Sequence, residues 1–424
     1  MTTSHYSERT LLLLLAAVQF THILDFMVIM PLGEQLMREL AIGPARFSHL
    51  VAAYTISAGV VGLLTAPFMD RFDRRKVLLV AYAGFFCGTL ACALSHTAGM
   101  LLISRAICGA FGGVSGATIM AIVGDIVPPQ RRASGMGVIM TAFAAAAALG
   151  VPFGLFLAQK FSWEMPFFLV AGMGVIVWLL IYLILPPVRA HIEDLADTPV
   201  HHFTAFFALL RDTNAGRALL FMSALVMGHF AVIPLLAPYM VSNLRLPEDR
   251  LFLVYFVGGI CSACTAPFFG RLADRLGRLR VFALLIGVAC IVTLLIANSG
   301  ALPVWAVLVL AGLFFTFASG RFVPGQAILS LAVPSKQRGS FMSLTSCTRD
   351  LTSGVTSGLG GWIVTKSPDG RLLHFDRLGW IAVGMSLVSL WLASRVQVRE
   401  VHRPSQPEPV AKIAIDAVAE NELS

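Results

Sequence analysis

TAPFFGRLADRLGRLR, residues 265–280, decides how the chain is read, because the stretch occurs twice. The earlier copy is TAPFMDRFDRRK at 65–76. In each, an Asp leads a ladder of bases: Asp70, Arg71, Arg74, Arg75 and Lys76, then Asp274, Arg275, Arg278 and Arg280. The two leading carboxylates stand 204 positions apart. A second echo, VPPQRRASGM at 127–136 against VPSKQRGSFM at 333–342, has nearly the same offset. Two echoes at one period in a chain of 424 residues mean an internal duplication.

Each copy lies between long apolar runs. With 57% hydrophobic residues, 13% charged residues and a mean hydropathy of +0.81, the chain is not a soluble globular protein. Runs long enough to cross a ~30 Å hydrocarbon layer as helices recur along it. They predict twelve spans, at about 10–32, 47–69, 77–95, 100–124, 133–158, 166–186, 218–241, 251–269, 281–298, 303–328, 340–364 and 378–394. The first has no small-residue cleavage site and is read as retained. The net charge of +8 follows the positive-inside pattern rather than marking a nucleic-acid partner. With both termini in the cytoplasm, the outer loops hold only Arg38, Arg46, Lys160, Arg245, Arg250, Lys366, Arg371 and Arg377 of the 31 Lys and Arg. All seven Cys fall inside spans, so no disulfide framework is implied. Cys261 and Cys264 form a C-x-x-C without further ligands at metal spacing, and are read as small packing residues.

GRLADRLGR at 270–278, with Gly270, Asp274, Arg275, Gly277 and Arg278, resembles the signature loop between the second and third helices of each half of major facilitator superfamily transporters. The first copy departs from the pattern, with Ala66 and Asp73 where the family has Gly. The resemblance implies an all-α membrane protein of two pseudo-symmetric six-helix bundles, 1–186 and 218–395. A cytoplasmic linker at 187–217, with an amphipathic helix at 203–211, joins them, and a disordered tail is expected at 396–424. It further implies that Asp70 and Arg74 latch the cytoplasmic ends of the halves together when the cavity faces outward, with Asp125 receiving the Arg ladder. The plainer reading of these charges is topogenic. The histidines His191, His201 and His202 beside Glu193 and Asp194 are read as a solvated linker rather than a metal site.

Other motifs extend the resemblance. Arg105, Gly109 and Gly113 recur every four residues on the fourth span, and the glycines permit close helix packing. The pattern resembles the family's fourth-helix motif, common in proton-coupled members, with Cys108 in place of its usual polar residue. Gly150, Pro152 and Gly154 resemble the Gly-Pro-Gly element typical of antiporters, and by themselves predict a kinked, tightly packed helix. LDFMVIMP at 24–31 resembles the first-helix motif of drug/proton antiporters.

A charge at mid-bilayer costs ~2.5–3.5 kcal/mol even on a mild scale, so Asp25, Arg105, Arg321, Arg349 and Asp350 are functional candidates. At ~1.5 Å rise per residue, Asp25 and Arg105 fall roughly 6 and 9 Å outward of their span centres and are expected to meet. Asp25 is then the expected coupling-proton site, loading as the site closes and unloading when Arg105 approaches or water enters. His22, three residues before it on the same helix face, would tune or share the proton. The alternative is a permanent ion pair that fixes helix register. Asp350 is expected to reach Arg321 on a neighbouring helix as a structural lock, since adjacent Arg349 and Asp350 point ~100° apart. His229 has two readings, a packing residue or a cavity residue.

The expected function is secondary active transport, as proton-coupled efflux by antiport of a small amphipathic or sugar-like compound, resembling the drug-efflux and arabinose-efflux branch. Proton-linked uptake and a transport-dead receptor are the alternatives. No nucleophile–base pair, phosphate loop or metal cluster points to an enzyme. No cofactor beyond the proton gradient is expected. The expected partners are a small-molecule substrate, protons and the lipid bilayer, with no nucleic acid, in a functional monomer. The expected location is the plasma membrane, which in a bacterium is the inner membrane, with multiple passes and both termini cytoplasmic.

Overall fold

In hydrocarbon each backbone N–H and C=O has to be paired within its own segment, so the apolar runs become helices. The computed structural model describes residues 6–69, 71–128, 131–189, 212–334, 337–397 and 399. Its first half contains α1 (Glu8–Val28), α2 (Pro44–Met69), α3 (Arg74–Ala93), α4 (Ala98–Ile126), α5 (Ser134–Lys160) and α6 (Met165–Ile184). The second contains α7 (Thr213–Ser242), α8 (Glu248–Leu276), α9 (Arg278–Ala297), α10 (Val304–Ser330), α11 (Arg338–Ile363) and α12 (Phe375–Arg395). By length and composition, 11 of these helices among the described residues can cross a membrane. The twelfth, α11, has 26 residues but is polar, with Thr345, Ser353, Thr356 and Ser357 all buried. That polarity suits its place, because the buried face of α11 packs against α2 of the other half.

The halves meet along two seams, α2 with α11 and α5 with α8. Backbones come close there. A Cβ on Gly259 of α8 would lie 2.5 Å from Ala148 Cα of α5. At the end opposite the signature loops, ion pairs join the halves: Arg38 to Glu248 at 2.9 Å and Lys366 to Glu34 at 2.8 Å. Gln159 donates to the Glu248 carbonyl at 2.6 Å. Lys366 is presented by a two-stranded antiparallel hairpin, Thr365–Lys366 with Leu372–Leu373, between the last two helices.

Among the described residues three helices are broken, each with a local cause. In α7 the break at 231–232 precedes Pro234, and Pro238 lies inside the outer piece. In α5 a π-helical turn spans Ala146–Gly150, immediately before Pro152, whose missing N–H and ring disturb the regular ladder. In α10 a π-helical turn spans Phe315–Ser319, just before Arg321.

The linker helix expected at 203–211, with His191, His201, His202, Glu193 and Asp194, lies outside the described residues, as does Asp70. So does most of 396–424. The start of that tail is docked rather than free: the Asn214 side chain donates to the Gln397 carbonyl and accepts from its N–H, both at 2.8 Å. Arg399 pairs with Asp212.

Candidate functional site

Asp25 and Arg105 meet inside the first half. Arg105 Nη1 lies 2.8 Å from Asp25 Oδ2 and also donates to the Asp25 carbonyl at 3.1 Å, and both side chains are 0% exposed. Thr89 of α3 donates to the other carboxylate oxygen at 3.2 Å. The guanidinium lies over the Tyr54 ring, 4.4 Å from its centroid, adding a cation–π contact from α2. Four helices therefore converge on one ion pair. Gly150 and Gly154 position it from a fifth side. They face Leu24 and Val28 of α1, the neighbours of Asp25 along the helix, and a Cβ on Gly154 would lie 2.9 Å from Val28 Cγ2.

His22 does not bond Asp25. Its ring lies against Tyr54 and Phe85, at 6.0 and 5.6 Å between centroids, over Gly112. A Cβ on Gly112 would sit 2.6 Å from His22 Nε2 and 2.9 Å from the Tyr54 hydroxyl, so the glycine makes the space for both. Both His22 nitrogens and the Tyr54 hydroxyl are buried without a hydrogen-bond partner in the protein. A chain of rings leads from here to the second half: Tyr54 to Phe26 at 5.4 Å, then Phe26 to Phe230 at 6.3 Å, then Phe230 to His229 at 5.6 Å. His229 also packs on Phe314 and Phe322, and its Nδ1 has no partner. Buried polar atoms in proteins are nearly always paired, so this cluster at the join of the halves is a candidate contact surface for a solute.

The expected Arg321–Asp350 lock is not formed. Arg321 donates through Nη1 to Ser386 Oγ at 2.6 Å and through Nε to the Ala318 carbonyl at 3.2 Å, and it is 2% exposed. Asp350 pairs instead with its neighbour Arg349 at 3.1 Å, the partner that regular helix geometry disfavours. Two causes explain the difference. The π-helical turn before Arg321 inserts a residue and rotates the rest of the helix by about 100°, turning Arg321 toward α12. The long Arg349 side chain reaches around its own helix. Leu351, the next residue, packs on α2, where its Cγ would lie 2.7 Å from a Cβ on Gly59, which sets this stretch of α11 against the first half.

At the signature loops the two copies differ. In the second, the loop is a single residue: α8 runs through Gly270, Asp274 and Arg275 to Leu276, Gly277 turns the chain at φ +94°, and Arg278 opens α9. Asp274 and Arg275 are exposed. In the first copy, Asp73 holds the place of that glycine at φ −56°, so the turn has a different shape. Asp73 caps α3, accepting from the Arg75 N–H at 3.0 Å, and ties down the chain after α6 through the Val188 N–H at 3.1 Å and Arg189 at 2.9 Å. Burial raises its carboxyl, but the Arg189 bond and the two amides outweigh that and hold it below the usual carboxylate range. The signal for this role is an Asp directly before a helix start. Arg74 lies 3.2 Å from Asp125, joining the ends of α3 and α4 within the first half, so this pair is not itself the expected latch between the halves. Arg75 donates to the Tyr182 carbonyl at 2.5 Å, and Arg71 lies over Phe68.

Comparison with known proteins agrees with this architecture. The family profile described as Major Facilitator Superfamily matches residues 15–263 and 218–421. The chain is 24% identical over 379 residues to the uncharacterized MFS-type transporter YceJ of Bacillus subtilis, covering 89% of this chain and 93% of the relative. It is 23% identical over 353 residues to a probable sugar efflux transporter of Helicobacter pylori, covering 81% and 84%. Among solved structures, a bacterial homolog of the lysosomal transporter Spinster, inward-facing and unoccupied, superposes with a TM-score of 0.72 at 16% identity, covering 94% of this chain and 100% of that one. A D-xylose-proton symporter gives 0.70 at 18% identity, covering 91% and 97%. With the duplicated loop, the paired six-helix bundles and the family match all in agreement, the chain belongs to the Major Facilitator Superfamily of multi-pass membrane transporters.

Proposed function

We propose that the chain exports a small solute in exchange for protons, by alternating access across a plasma membrane, with both termini in the cytoplasm. One observation carries the coupling: an Asp–Arg pair held wholly inside an apolar bundle, with Tyr54 linking it to the join between the halves. In that environment a charge is stable only while paired. Rocking of the halves moves Tyr54 and Phe26 relative to Phe230, admits water to Asp25, and lets the carboxylate exchange a proton. The reverse movement dries the site and restores the pair. Under this reading the Arg38–Glu248 and Glu34–Lys366 pairs seal the outer side, and the Arg74–Asp125 region is the cytoplasmic gate. The sugar efflux relatives support the outward direction.

The test is transport in proteoliposomes, with solutes chosen by counterflow at two pH values. Asp25→Asn is expected to abolish gradient-driven accumulation while leaving solute exchange intact. Full gradient-driven activity in that variant would end the proposal. Imposing the proton gradient in either direction separates export from uptake.

A further inference from the structure

We infer that the solute carries a carboxylate and that Arg321, in the second half, receives it. The inference rests on the transporter reading above and adds the chemistry of what is carried. Its basis is a comparison of one half with the other. Counting 204 positions from Asp25 leads to His229. The register is supported by the next residues, Phe26 and Phe230, whose rings meet across the halves. The fourth helix of each half carries a buried arginine, Arg105 and Arg321, though these stand 216 positions apart rather than 204. In the first half the cation is cancelled by Asp25. In the second half the matching position is a histidine, and no carboxylate among the described residues pairs with Arg321. Buried on its first and fourth helices, one half thus holds an acid and a base, the other two bases.

A guanidinium offers five N–H donors, and Arg321 uses two of them, both on neutral oxygens. A buried cation in that condition is costly unless a partner arrives. The surroundings suit one. His229 Nδ1 and the Tyr255 hydroxyl, both able to donate, are buried and unpartnered in the same half. The His229 ring touches Phe322, the residue after Arg321, and Phe230, which touches the first half. Arg321 also lies beside the helix that carries His229, because the Ser386 Oγ it bonds would be 2.6 Å from a Cβ on Gly228. A single uncancelled positive charge matches a monoanion, and the planar fork matches a carboxylate. The Phe walls suit an apolar or ring-shaped body beside it.

Thermal unfolding of the full-length chain in detergent tests this with paired probes: benzoate against benzamide, and gluconate against glucose, at tens of millimolar. At least one acid is expected to raise Tm saturably by about 2 °C or more while its neutral partner does not. Arg321→Gln is expected to lose that rise, and Arg321→Lys to keep part of it. Ser386→Asp places a carboxylate where Arg321 already donates, and is expected to fold and to lose the acid response. Equal shifts from acid and neutral partner, no shift from either acid, or an undiminished acid response in Ser386→Asp would each overturn the inference. The two readings fail separately. If acids and neutral partners behave alike while Asp25→Asn still loses gradient-driven transport, the carboxylate is wrong and the transporter reading stands. If the acid response holds while Asp25→Asn transports normally, the carboxylate stands and the proton-coupling role of Asp25 is wrong.

Discussion

At the scale of single residues, the pair Asp25–Arg105 is legible in the sequence because a charge in an apolar run has to be explained wherever it occurs. The residues that complete its setting are not. Thr89, Tyr54 and Gly112 are ordinary residue types on ordinary helices, and only proximity gives them meaning. Removing one partner leaves a buried charge alone, so Arg105→Ala is expected to destabilise the protein by about 3–5 kcal/mol. The double variant Asp25→Asn/Arg105→Gln is expected to lose less, as measured by thermal unfolding in detergent. Additive losses would argue against the pair. Asp73 makes a separate prediction. Its folded-state carboxyl titrates below the unfolded value of about 3.9, so its contribution is present above about pH 4 and lost as pH falls through the folded value. Asp73→Asn should therefore lower Tm at pH 7, and the difference from the parent protein should shrink as pH falls below about 4.

Elements show why helix faces are harder to read than helix positions. The stripe Gly109–Gly113 announces a close contact by its spacing, and the contact is there: a Cβ on Gly109 would lie 2.0 Å from the Tyr54 carbonyl oxygen. Gly124, on the same helix, has open space where a Cβ would sit, with nothing within 4 Å. Gly109→Ala is accordingly expected to cost about 1–3 kcal/mol by overpacking. Gly124→Ala is expected to be neutral or to stabilise by up to about 1 kcal/mol through helix propensity. Matching Tm values for the two would contradict the packing. Gly277→Ala forces a side chain into positive φ and is expected to cost about 1–3 kcal/mol, a strain absent at Asp73. The π-helical turn in α10 leaves no mark in the sequence, so nothing there shows that Arg321 faces α12 rather than Asp350.

At the scale of the whole molecule, function depends on the balance between two arrangements of the halves. The Arg38–Glu248 pair joins them at the end opposite the signature loops, and both side chains are partly exposed, at 54% and 34%. Solvent screens such a pair, so its loss is worth at most about 1 kcal/mol, or roughly a fivefold change in the equilibrium. Glu248→Gln is expected to increase labelling of cysteines introduced on that side by no more than this factor. A far larger change would mean that the pair controls the gate alone. The Lys366–Glu34 bridge is expected to share the load, so the double variant should exceed either single one.

The sequence alone determined the duplication, the placing of the helices and the presence of buried charges, because each depends on local composition against the cost of exposing polar groups to hydrocarbon. Which charge meets which was decided by tertiary structure. Pairing depends on helix rotation and on the reach of side chains from distant elements, and a single inserted residue in a π-helical turn changes both. Asp25 meets its partner where a depth count puts it, while Arg321 is turned away from Asp350 toward Ser386, leaving its charge without a counterpart among the described residues.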